Sequence, residues 1–216
     1  MPRTVCITGA TGYLGRALSA ALLERGHGVR ALVRPGGAAR AAAGTRAREI
    51  DVFDVDALAG AFGAGDTAVH LIGTPHPNPS KAAEFQRVDL GSARICAGAA
   101  ARAGIAHVVY VSVAQPAPMM QAYVEARAAA EVAFTDAGLT ATFVRPWYVL
   151  GPGHRWPYLL VPCYAVAERL PWTRESARRL GLVTLAQMTR ALVGTIEAPP
   201  PTGTRRVIDV PAIRAA

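Results

Sequence analysis

The sequence predicts an α/β fold in which a doubly wound parallel sheet carries helices on both faces. Short runs rich in valine and isoleucine alternate along the chain with longer helical segments. These runs are continuously apolar, which is typical of strands that are covered on both sides. Because neighbouring parallel strands need a crossover connection, the segments between the runs are expected to be the helices.

Six runs are predicted to be strands of this sheet. The strong ones are residues 4–9, 28–34, 67–73, 106–113 and 140–146, and a weaker one covers residues 48–52. Four helices are expected between them, over residues 14–25, 57–62, 81–103 and about 119–137. Glycine and proline, which interrupt regular structure, bound the runs.

A chain of 216 residues is long enough for one compact domain with a full core. We expect a single domain, with the sheet core in residues 1–150 and a small cap plus the final strand in residues 151–216. Within the latter part, residues 178–198 predict a short strand and a helix with Thr184 as its N-cap. Residues 204–211 predict the last strand of the fold.

Composition limits the classes of function that fit. The formal charge of +8 favours anionic partners such as nucleotides, but no nucleic-acid-binding motif accompanies it. Cys6, Cys96 and Cys163 are odd in number and far apart, which indicates a reducing compartment, and we expect the cytoplasm. We expect no signal peptide, and the sequence contains no apolar stretch of about 20 residues. No histidine has a metal partner at a recognised spacing, so no metal is expected.

A glycine-rich turn follows the first predicted strand. Gly9, Gly12 and Gly15 are spaced three residues apart and lead into a helix. In a dinucleotide site such glycines allow the tight turn, the close approach of a pyrophosphate and the packing of helix on strand. The helix N-terminus then offers free N–H groups to the phosphates. The strand–turn–helix context therefore predicts a dinucleotide-binding loop rather than a structural turn.

The second strand predicts which dinucleotide is bound. An NAD site usually has an acidic residue there for the ribose hydroxyls, but none occurs between Glu24 and Glu49. Arg34 stands at the strand end instead, and a guanidinium suits a 2′-phosphate. We therefore expect NADP(H) in preference to NAD(H), although Arg34 could also be an ordinary loop arginine. Asp51 could accept a hydrogen bond from the adenine, whereas Asp54 is the better candidate for a helix cap.

Three side chains suggest proton transfer. Ser112 ends the fifth predicted strand at the edge where open parallel sheets bind ligands. Tyr123 follows on the next helix, and Arg127 lies one turn further along the same face. A nearby cation favours the phenolate form of a tyrosine. Ser112 could then hold a carbonyl or alcohol oxygen while Tyr123 passes the proton.

Together these motifs resemble the short-chain dehydrogenase/reductase superfamily, in particular its extended and atypical branches with NmrA-like and epimerase-like members. The likeness extends over about residues 3–155 and implies a Rossmann-type fold with a substrate-side cap and, with it, a small-molecule substrate and a monomer or homodimer. Ser112, Tyr123 and Arg127 match the catalytic positions of that superfamily. The resemblance also implies a set of cofactor-binding residues: Gly9, Thr11, Gly12, Tyr13, Leu14, Gly15, Arg34, Asp51, Val52, Leu71, Ile72, Gly73, Arg127, Pro146, Trp147, Tyr148 and Val149.

Arg127 departs from the superfamily pattern, which has lysine at that position. Arginine keeps the charge, but it is bulkier, planar and unable to give up a proton. Two functions therefore stay open. One is an oxidoreductase that transfers a hydride to or from a carbonyl or alcohol carbon, or an epimerase or dehydratase using the same geometry. The other is an NADP(H)-binding regulatory or accessory protein with little turnover.

Two further segments allow more than one interpretation. The proline-rich residues 73–81 could form a wall of a substrate pocket or an ordinary rigid loop. Residues 147–172 contain all three tryptophans, which predicts an apolar or ring-bearing substrate. Core packing is an equally good explanation of the same segment. A peripheral membrane contact is a third, because aromatic residues flank an apolar run.

Overall fold

The computed structural model describes residues 2–152 and 159–216, and only the backbone of Val161. Its centre is a seven-stranded sheet in the order β3-β2-β1-β4-β5-β6-β9, in which every neighbouring pair is parallel. The predicted fold class, a Rossmann-type α/β sheet, is confirmed. The strands are β1 Thr4–Thr8, β2 Gly28–Val33, β3 Arg46–Glu49, β4 Thr67–His70, β5 His107–Val111, β6 Ala141–Val144, β7 Tyr148–Leu150, β8 Leu182–Thr184 and β9 Arg205–Ile208.

Helices cover both faces of this sheet. One apolar core lies between the sheet and α2, α4 and α5, and the other lies between the sheet and α1, α8 and α9. The α-helices are α1 Tyr13–Glu24, α2 Val55–Ala61, α3 Ala82–Glu84, α4 Gly91–Ala103, α5 Gln121–Asp136, α6 Val161–Ala167, α7 Arg174–Arg179, α8 Leu185–Glu197 and α9 Val210–Ala215. No helix in the described ranges is long and apolar enough to cross a membrane.

The long helix predicted over residues 81–103 is confirmed, but its middle is irregular. Residues Phe85–Leu90 form a π-helical segment that joins α3 to α4. A π turn contains one more residue than an α turn, so it changes which side chains point inward. Here Phe85, Asp89 and Leu90 are all buried. The irregular turn therefore places a carboxylate in the interior.

The third strand differs from its predicted position. It covers Arg46–Glu49 rather than residues 48–52, and all four of its side chains are exposed. β3 is the edge strand and pairs only with β2, through Val33 and Glu49 at its end. The apolar pattern marked the residues after the strand instead, because Ile50 turns into the core. Asp54 caps α2 by accepting from the N–H groups of Asp56 and Ala57, as predicted.

The C-terminal part contributes to the main sheet and to a second, smaller one. β9 extends the main sheet beside β6, and Thr184 begins α8 with a capping box to Gln187, both as expected. A two-stranded parallel sheet of β7 and β8 was not predicted. It fixes the segment after β6 to the start of α8.

Glycines shape the turn from β1 into α1. Gly9 has a positive φ of +75°, and a Cβ there would lie 3.1 Å from the backbone of Leu71 beyond β4. Gly15 is buried in the first turn of α1, where a Cβ would lie 2.7 Å from the Cα of Ala10 and closer still to the carbonyl oxygen of Gly9. The helix can therefore pack on its own entry loop only because residue 15 has no side chain.

We expect Gly15→Ala to lower the free energy of unfolding by about 1–3 kcal/mol, because the added methyl group must push α1 away from the loop. Gly194→Ala is the matched control, since Gly194 is also helical and a Cβ there has nothing within 4 Å. This control should raise stability by up to about 1 kcal/mol through helix propensity. Urea unfolding of both variants measures the difference, and equal effects at the two sites would contradict the close packing of α1.

Candidate active site

Two cavities open at the carboxyl edge of the sheet and share a wall. The smaller has a volume of about 190 Å³ and the larger about 530 Å³. Val113, Tyr123, Trp147 and Val149 line both of them. The two cavities are therefore neighbouring parts of one site.

The smaller cavity brings together side chains that are far apart in the sequence. All three predicted catalytic residues line it, and so do several predicted cofactor-binding residues from four different segments. Its lining is Leu14, Leu71, Val111, Ser112, Val113, Tyr123, Arg127, Pro146, Trp147 and Val149. The site thus lies between the glycine turn, the ends of β4 and β5, helix α5 and the turn before β7.

Two buried polar atoms on this cavity have no hydrogen-bond partner among the described residues. They are the Oγ of Ser112 and the Nε of Arg127. Buried polar groups are nearly always paired, because desolvation without a partner costs about 1–3 kcal/mol. Both residues line the same small cavity. The pair of unsatisfied atoms therefore fits a polar ligand that enters there, as the ribose–nicotinamide part of a dinucleotide would.

The Arg127 guanidinium is held by a buried network. Its Nη1 donates to the carbonyl oxygen of Val111 at 2.8 Å and to the hydroxyl of Tyr110 at 3.3 Å. Its Nη2 lies 2.7 Å from Oδ1 of Asp89, outside hydrogen-bonding direction. Asp89 in turn accepts from the N–H and hydroxyl of Thr74 through Oδ2. Arg127 is thus anchored by β5 and by a carboxylate of the π turn.

This network fixes the charge of the site. Burial alone would lower the pKa of Arg127, but Tyr110, Tyr123 and Asp89 together raise that pKa well above its ordinary value. Burial raises the pKa of the Tyr110 hydroxyl to about 12, so Tyr110 stays neutral at ordinary pH. Burial and the Arg127 charge lower the pKa of His70 to about 3, which keeps that imidazole uncharged. A permanent cation therefore faces neutral neighbours and one carboxylate.

Tyr123 lies directly over this cation. The guanidinium carbon of Arg127 is 5.2 Å from the centre of the Tyr123 ring and 5.7 Å from that of Tyr110. On its other side the Tyr123 ring contacts Phe85 at 5.0 Å between centroids. The cation is thus close enough for a cation–π interaction. Ring packing sets the position of Tyr123.

The loop after β4 is shaped by the same arginine. Gly73 has no room for a side chain, because a Cβ there would overlap Nη2 of Arg127 and come within 3.1 Å of Asp89. Leu71 lines the smaller cavity, and the backbone of Leu71 and Ile72 packs against Gly9. These three predicted cofactor-binding residues therefore connect the glycine turn to Arg127.

The glycine turn leaves the start of α1 uncapped by any side chain. Gly12 is the N-cap and is exposed, and Thr11 is partly buried beside it. Tyr13 lines the larger cavity, and its hydroxyl lies so close to Gly151 that a Cβ at residue 151 would overlap it. The open backbone N–H groups of α1 fit a phosphate group.

The predicted adenosine-binding residues lie on the other side of the glycine turn, at the ends of β2 and β3. Arg34 begins a tight turn in which its carbonyl oxygen accepts from Gly37, with Gly36 at a φ of +73°. The Arg34 side chain is exposed. Asp51 is exposed and accepts from the N–H of Phe53, and Val52 packs on the core. Arg30, in contrast, is used inside the protein, where it pairs with Asp66.

The larger cavity has mostly apolar and aromatic walls. Its lining is Tyr13, His76, Pro77, Asn78, Val113, Met120, Tyr123, Trp147, Tyr148 and Val149. His76 and Met120 have positive φ angles of 47° and 58°, which side chains rarely adopt. Such backbone strain is concentrated at ligand-binding sites in many proteins. The proline-rich loop thus forms one wall of this cavity.

The aromatic residues of segment 147–172 lie in different environments. Trp147 and Tyr148 line the cavities, Tyr164 packs beside Trp147, and Trp172 is exposed. Trp156 and Tyr158 lie outside the described residues.

Among the residues described, no group of three or more histidine, cysteine or acidic side chains is arranged to hold a metal ion.

Asp89 and Tyr110 are site residues that the sequence did not reveal. Asp89 lies four residues after Phe85 and four before Ala93, and both of these are buried. That spacing was the available signal that Asp89 faces inward. Its partner Arg127 is 38 positions later (127 − 89 = 38), too distant for any local pattern to connect them.

We expect Asp89→Asn to lower the free energy of unfolding by about 3–5 kcal/mol, because it leaves a buried guanidinium without a counter-charge. Asp56→Asn is the control, because it removes an exposed ion pair with Arg102 and should cost less than about 1 kcal/mol. Adding Arg127→Met to Asp89→Asn should recover part of the loss. Chemical denaturation measures all three, and a double variant less stable than Asp89→Asn would rule out the charge explanation.

Comparison with known proteins agrees with this geometry. Residues 9–155 match the model of a family described as NAD(P)H-binding. A curated relative, ceramide reductase of Caulobacter vibrioides (strain NA1000 / CB15N), is 31% identical over 179 residues, which are 81% of this chain and 55% of the relative. The chain thus spans about half the length of that relative.

Solved structures share the fold at low sequence identity. MoeE5 in complex with UDP-glucose and NAD is 19% identical with a TM-score of 0.70, covering 97% of this chain and 79% of that one. UDP-N-acetylglucosamine 4-epimerase from Bacillus cereus is 14% identical with a TM-score of 0.70, covering 99% and 82%. Because the family model matches residues 9–155, the chain belongs to the NAD(P)H-binding family, and it shares its Rossmann-type fold with these solved structures.

Proposed function

We propose that this protein is an NADP(H)-dependent oxidoreductase acting on a carbonyl or alcohol group of an apolar or ring-bearing substrate. The observation that carries the proposal is the convergence of Ser112, Tyr123 and Arg127 on one small cavity with two unsatisfied polar atoms. The larger apolar cavity beside it gives the substrate a place next to these groups.

The residues of the chain fit the parts of a dinucleotide in order. The first turn of α1 holds the pyrophosphate through its backbone N–H groups. Leu14, Pro146 and Trp147 enclose the nicotinamide side, and Arg34 and Asp51 hold the adenosine side. When bound, the cofactor supplies or accepts a hydride at a substrate carbon. The protein therefore has to bind the substrate oxygen and move its proton.

Ser112 and Tyr123 carry out these two tasks. The Ser112 hydroxyl donates a hydrogen bond to the substrate oxygen, for which its unsatisfied Oγ is free. The Tyr123 hydroxyl gives a proton to that oxygen in reduction and takes it back in oxidation. Arg127 stabilises the phenolate that remains, since its guanidinium is always charged. Its Nε also has a hydrogen bond to give to a ribose hydroxyl.

The walls of the larger cavity favour a lipid-like substrate. Aromatic and apolar side chains dominate a space of about 530 Å³, which accommodates a chain or ring rather than a highly charged group. The curated relative is named for the reduction of ceramide, which is a lipid. Both observations support a substrate with a long apolar portion and a single polar group near Tyr123.

One observation favours a second function, an NADP(H)-binding regulatory or accessory protein. The charge of Arg127 is already paired with Asp89, 2.7 Å away, whereas a catalytic cation beside Tyr123 should act on the phenolate. A cation balanced by a buried carboxylate stabilises a second anion less well. In this function the cofactor would bind and dissociate without turnover.

Exchange of the tyrosine distinguishes the two functions. We expect Tyr123→Phe to reduce turnover of long-chain or aromatic ketones by about 10²–10⁴-fold, because the proton donor is lost. NADPH should still raise the melting temperature of the variant. Val132→Ala is the control, since Val132 is exposed on the same helix and lines neither cavity in the described part of the chain, and the turnover of this variant should stay near that of the unchanged protein. Cofactor binding without turnover in the unchanged protein would favour the accessory function.

Cofactor preference is tested at the end of β2. We expect Arg34→Ala to weaken NADPH binding by about tenfold or more, because a charge-assisted hydrogen bond to the 2′-phosphate contributes roughly 1.5–3 kcal/mol. NADH binding should change little. Arg40→Ala is the control, because Arg40 is an exposed arginine of the same loop. Calorimetric titration measures the four affinities, and an equal loss for NADPH and NADH would refute the role of Arg34 in phosphate recognition.

A further inference from the structure

Helix α6 and the turns that flank it present an apolar face to the outside of the molecule. Cys163 and Val166 lie three residues apart within α6, so they share one side of the helix, and Leu159 and Leu170 lie in the turns before and after it. Leu159 is 80% exposed and Val166 is 56% exposed, and Trp172 just beyond is 79% exposed. We call these five residues the α6 face. Single exposed apolar residues are ordinary, but five in one short segment form a patch that indicates a binding surface.

Arginines are frequent in and just after the segment that carries the α6 face. Residues 159–180 contain four arginines, at 169, 174, 178 and 179, and two glutamates, at 168 and 175. Glu168 is already paired with Arg214 at 2.7 Å, and Glu175 lies 3.9 Å from Arg179. Arg169, Arg174 and Arg178 are exposed. Their charge is therefore available to an anionic surface.

The opposite side of α6 reaches the candidate active site. The Tyr164 side chain is within hydrogen-bonding distance of Trp147, and Trp147 lines both cavities. Helix α6 thus separates the cavity walls from the exterior. A surface that binds the α6 face would lie next to the larger cavity.

We propose that the α6 face docks this protein on the surface of an anionic lipid membrane. Trp172 and the apolar side chains insert at the level of the headgroups, and the arginines bind the anionic lipids. A second copy of this chain, with its formal charge of +8, would bring the same sign of charge to the face, whereas an anionic bilayer complements it. The proposal extends the proposed function, because a lipid substrate would then leave the bilayer beside its cavity.

The test is flotation of the full chain with two kinds of vesicle, one of phosphatidylcholine alone and one of phosphatidylcholine and phosphatidylglycerol in equal parts. We expect the chain to float with the mixed vesicles and only weakly with the neutral ones. Val166→Asp should weaken binding to the mixed vesicles by about tenfold or more, through loss of apolar burial and added repulsion. Val132→Asp is the matched control, because Val132 is 55% exposed on α5 and is not part of the α6 face.

The fluorescence of Trp172 provides a second measurement, which reports membrane contact directly and does not depend on a variant that has lost vesicle binding. Its fluorescence should shift to shorter wavelength on addition of mixed vesicles, and Trp172→Phe should remove that shift while the chain stays folded. Equal flotation of Val166→Asp and the unchanged chain would overturn the proposal, as would an equal loss for Val132→Asp. Absence of vesicle binding together with a dimer that Val166→Asp dissociates would instead identify the α6 face as a self-association surface, and this too would overturn it.

These outcomes are separate from those of the enzyme proposal. Vesicle binding requires neither NADPH nor turnover, so its failure leaves the oxidoreductase function standing. Conversely, a chain that binds vesicles but shows no thermal shift with NADPH would retain the docking surface and lose the proposed chemistry. The two proposals can therefore fail independently.

Discussion

The buried ion pair between Arg127 and Asp89 is the interaction on which the site depends. It joins helix α5 to the π turn before α4, and hydrogen bonds extend it to Val111 of β5 and to Thr74 beyond β4. Two buried charges are costly to desolvate, and only good pairing compensates that cost. The pair therefore depends on fixed relative positions of α5, the π turn, the end of β5 and the loop after β4. Gly73 follows from it as well, since a side chain there would occupy the place of the guanidinium.

The same pair gives the site an unusual electrostatic balance. A lysine at position 127 would offer a single compact charge, whereas the guanidinium donates to Val111 and Tyr110, pairs its charge with Asp89 and leaves Nε without a partner among the described residues. Its guanidinium carbon also lies 5.2 Å from the Tyr123 ring centre and 5.7 Å from that of Tyr110, which are cation–π distances. Arginine at this position is thus explained by the carboxylate and aromatic rings around it. An asparagine or glutamine at position 89 would carry no charge to balance the Arg127 guanidinium.

Features that depend on neighbouring residues were predictable from the sequence. The glycine turn and the N-caps Asp54 and Thr184 each arise within a few residues, so their patterns were sufficient. The parallel sheet with helices on both faces followed from the alternation of apolar runs and helices, but the order of its strands was not predicted. Features set by distant contacts were not predictable: the pairing of β7 with β8, the true place of the edge strand β3, and the counter-ion of Arg127. The sequence predicted Ser112, Tyr123 and Arg127 as site residues, and the structure places them on one cavity, but the carboxylate beside Arg127 was not predicted.

The site combines a rigid half with a half that is held under strain. On the glycine side, Gly9 and Gly15 pack so closely that little movement is possible. On the substrate side, His76 and Met120 keep left-handed backbone conformations in the loops that form the cavity wall. Such conformations cost about 1–3 kcal/mol each and persist only where surrounding contacts enforce them. A substrate that fills the larger cavity would add contacts to these same loops, so that binding and the positioning of Tyr123, three residues after Met120, are coupled through the start of α5.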